Sequence, residues 1–540
     1  MPTKTLPYRD TGYFSSLMCD YLDRKESLAP FYNRFPTLES FKGQLEEKGK
    51  HFTRESRKLL ADRLQAQYEG IETSEATQQN LDALRGENTF TVTTGHQLNL
   101  FTGPLYFLYK IFSVINLTEK LASEYPDSHF VPVFWMASED HDFEEINYFN
   151  LFGKKMQWTP SWLSDSKDAN SHGAVGALST EGLEIMAELL KLTFGSSENG
   201  DKLATLFQEA YSGHDTLTEA TRYLGNSLFS EYGLVIVDGD DAGLKKAFLP
   251  HAHKELREEQ GYHKVTATTE ALTGLGYKAQ VTPREINLFY MDKGVRERIV
   301  RKDDTIYINN TDLSFGLEEF TQLMEEHPER ISPNALLRPL YQETILPNLC
   351  YIGGGGEMAY WFQLKHYFES VAVPFPILLL RNSVLLVPGK LTKKLDRLEV
   401  DIASLFMKQE ALRTAHTHKL SEIKIDLSPQ REYLKEQFRN LYDVAEKTDA
   451  SFLGAVGAQE KKQLNGLDRL EKRLLKAQKR KLSDQLERLT QIQDLLFPGA
   501  SLQERKANFS EFYLEYGDTL FSALKENLDP LALEFTVLEL

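Results

Sequence analysis

From Thr89 onward, short apolar and β-branched runs, each closed by glycine or an acidic residue, alternate with stretches of helical pattern. No other feature constrains the fold as tightly, because strands separated by helix-length segments pair in parallel through βαβ crossovers. Residues 89–94, 130–137, 234–237, 348–352 and 376–380 are the strand candidates. Between the third and fourth, QVTPREINLFYM and RERIVRKDDTIYINN alternate apolar with polar residues. That is the period of half-buried antiparallel strands, and it predicts a small α+β insertion near 260–330. The fold class is α/β, with a parallel-sheet core over 89–390.

After Val387 the period changes. Leu391, Leu395, Leu398, Ile402 and Leu405 repeat at the 4-3-4-3 spacing of a coiled-coil seam. Leu467, Leu470, Leu474 and Ala477 answer it, with a slip at Lys481 before Leu482, Leu486 and Leu489, and Leu434, Phe438, Leu441 and Ala445 mark a further helix. A long antiparallel coiled-coil arm is expected over 391–496, closed by Phe497-Pro498-Gly499, with 497–540 returning to the core. Residues 1–88, with Leu59, Leu60 and Leu64 among charges, read as a helical lead-in without a strand. At 540 residues the chain exceeds what one hydrophobic core holds, so several modules are required.

Composition removes whole classes of function. The net charge of −17 disfavours nucleic acid as a partner. No apolar run approaches a membrane span, and the first residues carry no apolar signal core, so a cytoplasmic protein is expected. Cys19 and Cys350 are too few for a disulfide framework or a cysteine-based zinc site. The basic cluster Lys472–Lys481 reads as the solvated face of the leucine seam.

Three segments concentrate chemistry where predicted strands end, the place at which open α/β sheets bind ligands. The first is Thr94-Gly95-His96-Gln97, ahead of Gly103-Pro104. A histidine there either meets an anionic group or caps a loop. The second is Ser138-Glu139-Asp140-His141-Asp142, three carboxylates and an imidazole within five residues. Crowded carboxylates raise one another's pKa, which suits a general base, an ammonium site or a divalent ion; a solvated acidic loop is the structural alternative. The third is Gly353-Gly354-Gly355-Gly356-Glu357, whose backbone can approach a ligand closely and present N–H donors, while Glu357 either meets an amine or caps a helix. It lacks the lysine of a P-loop and the spacing of GxGxxG.

Together, TTGHQLNLFTGPLYFLYK, FVPVFWMASEDHDFEEI, RPLYQETILPNLCYIGGGGEMAYW and LFPGASLQERKANF resemble, in order and spacing, the signature blocks of the BshC family, the cysteine-adding ligases of bacillithiol biosynthesis. The resemblance runs from about residue 10 to the C-terminus. It implies a Rossmann-like core similar to class I synthetase catalytic domains and a coiled coil that pairs two chains into a homodimer. It also implies an amide-forming ligase that joins L-cysteine to the amine of glucosaminyl-malate. An ATP or ADP site is associated with the family, and the match points to Gln503, Arg505 and Asn508; no metal is assigned. On this reading His96 and the amides of Gly354, Gly355 and Gly356 stabilise negative charge on the cysteine carboxylate. Asp140 or His141 receives the amine proton, and Glu357 positions an ammonium group. Thr94, Gly95, Gln97, Ser138, Glu139 and Asp142 are the accompanying substrate-binding candidates. Two other readings stay open: a nucleotidyl transferase acting on another small molecule, and a non-catalytic coiled-coil dimer that binds a nucleotide or metabolite.

Overall fold

A computed structural model describes residues 3–161 and 173–540. The chain divides into two compact units, one built from residues 1–386 with 502–538, the other from 387–501.

The first unit is organised around a five-stranded parallel sheet: β1 (Thr89–His96), β2 (His129–Met136), β3 (Val235–Asp238), β4 (Asn348–Gly353) and β5 (Ile377–Leu380). Their spatial order is β3-β2-β1-β4-β5, all parallel. The strands form because their residues are apolar or β-branched on both faces, as a doubly covered sheet demands. Helix α1 (Tyr106–Glu124) is apolar nearly all round and supplies Val114, Leu117 and Leu121 to the core, against Val92, Phe130, Leu349 and Ile352. Cys350 is buried in that cluster and burial pushes its thiol up, so it is a core residue. Helix α2 (Ala242–Glu258) follows β3, and helix α3 (Gly355–Ser370) follows the glycine run at the end of β4.

Between α2 and β4 lies an antiparallel five-stranded sheet containing Leu288–Asp292, Val295–Lys302, Thr305–Ile308, Ser314–Gly316 and Ile331–Pro333. The helical lead-in needs one correction, because Thr3–Leu6 is a strand paired antiparallel with Phe535–Glu539. Its partner sits at the opposite end of the chain, so no local pattern announces it.

The second unit contains the helices Gly389–Arg397, Gln409–Leu420, Ser428–Ala445, Ala450–Lys481 and Ser483–Leu496. The seam expected to run unbroken from Leu391 to Leu405 is interrupted: Glu399 takes φ 51° and Ile402–Phe406 is a 3-10 turn. The slip at Lys481 is a second break, between two helices. Within this unit Tyr442 donates to Glu460 at 2.9 Å, and Arg431 pairs with Asp468 and Glu471.

Candidate active site

In the order β3-β2-β1-β4-β5 the direction of winding reverses between β1 and β4, and the crevice beyond their carboxyl ends is where such sheets take ligands. A cavity of about 730 Å³ opens there. Gly95, His96 and Gln97 at the end of β1, Glu139, Asp140 and His141 after β2, and Gly354 to Glu357 after β4 all line it. Segments far apart in sequence thus share one wall.

The glycine turn has two distinct jobs. A Cβ on Gly353 would stand 2.9 Å from the Tyr351 ring, so this position must stay bare for the turn to close. Glu357 accepts from the Gly354 amide at 2.8 Å as the capping box of α3, from Tyr351 Oη at 2.7 Å, and pairs with Lys110 Nζ at 2.7 Å. Burial acts to raise the Glu357 pKa, but Lys110, the Gly354 amide and Tyr351 outweigh it and hold the carboxyl below its usual range. Lys110 also donates to Gly95 O at 2.6 Å, and its own pKa is pushed down by burial against the pull of Glu357. Glu357 is therefore an anchored anion. The amides of Gly355 and Gly356, in the first turn of a helix, have no intrahelical acceptor, and both residues line the cavity.

His96 lies against Phe107 and Tyr106, and its Nε2 donates to Thr102 O at 3.3 Å. Burial, then Lys110, pushes its pKa down to about 3. A neutral ring that donates through Nε2 keeps only an acceptor at Nδ1. The expected role of stabilising negative charge on a carboxylate is thereby corrected: what the ring has left to offer, at Nδ1, is an acceptor and not a donor.

Asp140 is corrected as well. Burial acts to raise its pKa, but His141, Arg296 and Gln97, the last donating at 2.5 Å, hold it far below the usual carboxylate range. A group so reluctant to take a proton is a poor base. His141 accepts from Arg296 Nη1 at 2.7 Å on Nδ1, so the nitrogen that would take a proton is occupied. Glu139 pairs with Lys245 at 2.9 Å, and burial raises its pKa. The carboxylate left open is Glu145, which the sequence reading passed over. It lines the cavity, its side chain has no hydrogen bond or ion pair to a described residue, and burial with the charges of Asp140 and Asp142 raises its pKa.

Five further candidates are absent from the wall. Thr94 Oγ1 donates to Ile352 O at 2.7 Å, tying β1 to β4. Ser138 donates to Asp238, and Asp142 caps the short helix Phe143–Ile146. Gln503 binds both N and O of Leu386 at 3.0 Å with its side-chain amide. Asn508 donates to Phe101 O at 2.8 Å and Gly103 O at 2.7 Å. Gln503 and Asn508 are thus structural anchors where nucleotide contacts were expected. The turn that Asn508 holds has Phe101 at φ 48° and Thr102 at φ 66°, a conformation costly for residues other than glycine, and it presents the carbonyl that orients His96. Arg505 alone of the three lines the cavity.

The largest omission of the sequence reading is cationic. Six arginines and Lys110 line the cavity against four carboxylates, in a chain whose net charge is −17. Of the six, only Arg505 is singled out from the sequence; Arg296 and Arg298 share one strand, and Arg284 and Arg381 belong to no motif. Two carry buried nitrogens with no partner, Arg296 Nε and Arg381 Nε. Among the described residues, no group of three or more His, Cys, Asp or Glu is placed to hold a metal ion, and no helix is long and apolar enough to cross a membrane.

Fold and site together define an α/β enzyme of the Rossmann type, with a cation-lined cavity at the switch point of its sheet. Residues 1–382 match the family described as "Bacillithiol biosynthesis BshC, N-terminal Rossmann-like domain", and residues 384–540 match "Bacillithiol biosynthesis BshC, C-terminal coiled-coil domain". The chain belongs to the BshC family, and it is a ligase. Two relatives named "Putative cysteine ligase BshC" illustrate the match. That of Flavobacterium johnsoniae is 54% identical over 538 residues, covering 100% of both chains. That of Christiangramia forsetii is 53% identical, covering 100% of this chain and 99% of its own.

Proposed function

We propose that the protein forms the amide between the carboxyl group of L-cysteine and the amine of glucosaminyl-malate, giving bacillithiol. One observation carries this reading: the ends of β1, β2 and β4 converge on a single cavity that offers free amides, an unpaired carboxylate and an acceptor imidazole together. Amide formation needs all three kinds of group.

The acyl carbon must carry a good leaving group, and the attacking amine must lose protons. An adenine nucleotide, when bound, supplies the activation of the carboxyl group; the partnerless Nε–H of buried Arg381 and the guanidinium of Arg338 suit its phosphates. The amides of Gly355 and Gly356 then donate to the oxygen that becomes negative as the amine adds. His96 Nδ1 accepts from a substrate N–H and so helps to orient an amine. Glu145, with its raised pKa, takes the proton that the amine sheds. The anchored pair Lys110–Glu357 keeps the glycine turn and the Gly95 carbonyl in register. Two chains pair through the coiled-coil unit, a reading supported by the exposed apolar side chains Tyr433, Leu441, Val444 and Leu470. The reaction belongs to the reducing cytoplasm, in keeping with two free thiols.

Purified full-length protein incubated with L-cysteine, glucosaminyl-malate and ATP, with bacillithiol, AMP and ADP followed by mass spectrometry, tests the reading. Product that depends on nucleotide is expected. Nucleotide turnover with no bacillithiol would overturn it.

A further inference from the structure

Three arginines on the cavity wall have nothing to hold. The side chains of Arg284, Arg298 and Arg505 make no hydrogen bond or ion pair with any described residue, although all three line the same cavity. Their positions are nevertheless fixed by their neighbours. Asn287 accepts from the Arg284 amide at 3.0 Å, donates to the Arg284 carbonyl at 2.7 Å, and is itself held by Glu255 at 2.7 Å. Upstream, Gln363 of α3 accepts from the amides of Gln280 and Val281 at 2.9 and 3.1 Å, so the strap carrying Arg284 is latched at two points.

Arg298 lies in the strand Val295–Lys302, directly opposite Phe289. Alternation along a strand places Arg296 and Arg298 on one face. Arg296 is occupied with His141 and stacks on Phe289 at 4.1 Å, which leaves Arg298 as the open guanidinium of the two. Arg505 closes the 3-10 turn Gln503–Arg505, whose first two residues are buried: Gln503 on Leu386, and Glu504 on Arg381 at 2.7 Å and on the Val384 amide at 3.1 Å. Three separate segments are thus each anchored beside an arginine that is left unpaired. Cations that line one cavity and have no ion pair of their own favour a multiply charged anion at that wall, Arg284 and Arg505 are open to solvent and so to an incoming ligand, and the guanidinium fork matches planar carboxylates.

We infer that Arg284, Arg298 and Arg505 recognise the dicarboxylate end of the acceptor substrate and so set its specificity. This rests on the proposed acceptor, an amino sugar bearing two carboxylates. It separates the two anions the cavity must handle, with the donor end at the glycine turn and the acceptor's carboxylates at the inserted sheet and the C-terminal turn. The three residues are specificity determinants and take no part in the proton transfer.

Calorimetric titration of the full-length protein with glucosaminyl-malate, and with methyl glucosaminide, which lacks both carboxylates, reads this directly. The wild-type protein should prefer the former at least tenfold. R298A and R284A should each lower its affinity about tenfold, the double variant should erase the preference, and R298K should retain part of it, since charge survives without the fork. Circular dichroism checks that each variant is folded, and ATP affinity should stay within twofold throughout. An unchanged preference in the double variant, or a loss confined to ATP, would overturn the assignment. A wild-type protein that binds glucosaminyl-malate with this preference yet yields no bacillithiol would instead refute the proposed reaction and leave the recognition intact.

Discussion

The two ends of the parallel sheet both bury charge, and they treat it in opposite ways. At the amino end, Lys48 and Glu343 are each 0% exposed. Lys48 Nζ donates to Glu343 O at 2.7 Å, Glu343 Oε1 accepts from Asn348 at 2.6 Å and from Gln342 at 3.2 Å, and Asn348 accepts from Thr93 Oγ1 at 2.9 Å. Each group of this network is engaged inside the protein. At the carboxyl end, Arg296 and Arg381 keep buried nitrogens without partners, while the side chains of Arg284, Arg298, Arg505 and Glu145, which reach solvent, make no hydrogen bond or ion pair with any described residue. Buried nitrogens without partners are costly, and at Arg296 and Arg381 a ligand in the cavity would offset that cost. The Lys48–Glu343 network is closed, and the charged groups around the cavity are open.

The strongest way to break this contrast is at the closed end. Glu343→Ala leaves Lys48 charged or stripped of its partner in the core, and should cost about 3–5 kcal/mol by chemical denaturation. The double change Lys48→Met with Glu343→Leu should recover most of that loss, because apolar groups of similar volume replace a buried pair with little net cost. Full destabilisation by the double variant would mean that the network is needed for more than mutual neutralisation.

At the open end the corresponding change should spare the fold and remove the chemistry. Glu145→Gln is expected to lower kcat by roughly 100-fold or more, the ordinary worth of a general base, with unfolding stability changed by less than about 0.5 kcal/mol. Burial and two neighbouring aspartates raise the pKa of Glu145, so the active carboxylate form is lost as pH falls through that raised value. The wild-type rate should therefore rise with pH along an acid limb that the glutamine variant lacks. His96, neutral down to about pH 3, contributes no such limb. Retention of the limb in Glu145→Gln would assign the proton to another group.

Much of this was legible in the sequence, for a physical reason. Strands covered on both faces must be apolar throughout, so Val92, Val133, Ile236, Leu349 and Leu379 announced the sheet, and ligands gather at its carboxyl end whatever the side chains. Motif density then pointed to the residues after β1, β2 and β4. The roles were harder to read, because they depend on neighbours far along the chain. Asp140 reads as a base until Arg296, carried by the inserted sheet, is placed beside it. Asn508 reads as a ligand contact until Phe101 and Gly103 arrive to receive its amide. Unpaired arginines cannot be recognised from sequence at all, since being unpaired is a property of the folded chain.

Asn508 couples the two regimes, being closed itself while fixing an open group. Asn508→Ala removes two donors from a turn held at positive φ, and should cost about 2 kcal/mol of stability. It should also weaken substrate binding, because Thr102 O would no longer hold the His96 ring. Asn508→Asp keeps the size without the donors and should behave alike. A variant with full stability and full affinity would remove His96 from the site.

The most telling pair of substitutions lies within the glycine run itself. A Cβ on Gly353 meets the Tyr351 ring at 2.9 Å and Glu357 Cβ at 3.1 Å, so Gly353→Ala must displace one of them and should destabilise by about 1–2 kcal/mol. A Cβ on Gly356 meets nothing closer than Gln280 Nε2 at 3.8 Å, and the residue sits in the first turn of α3, where alanine is the better helix former. Gly356→Ala should thus leave stability within about 0.5 kcal/mol of the wild type, or raise it slightly. The protein itself gives no reason for glycine at that position, which leaves the ligand as the reason. If substrate passes close to the Gly356 backbone, the added methyl group should raise KM roughly tenfold in a protein that melts no earlier. Unchanged kinetics in Gly356→Ala would detach the turn from the chemistry and confine the site to the ends of β1 and β2.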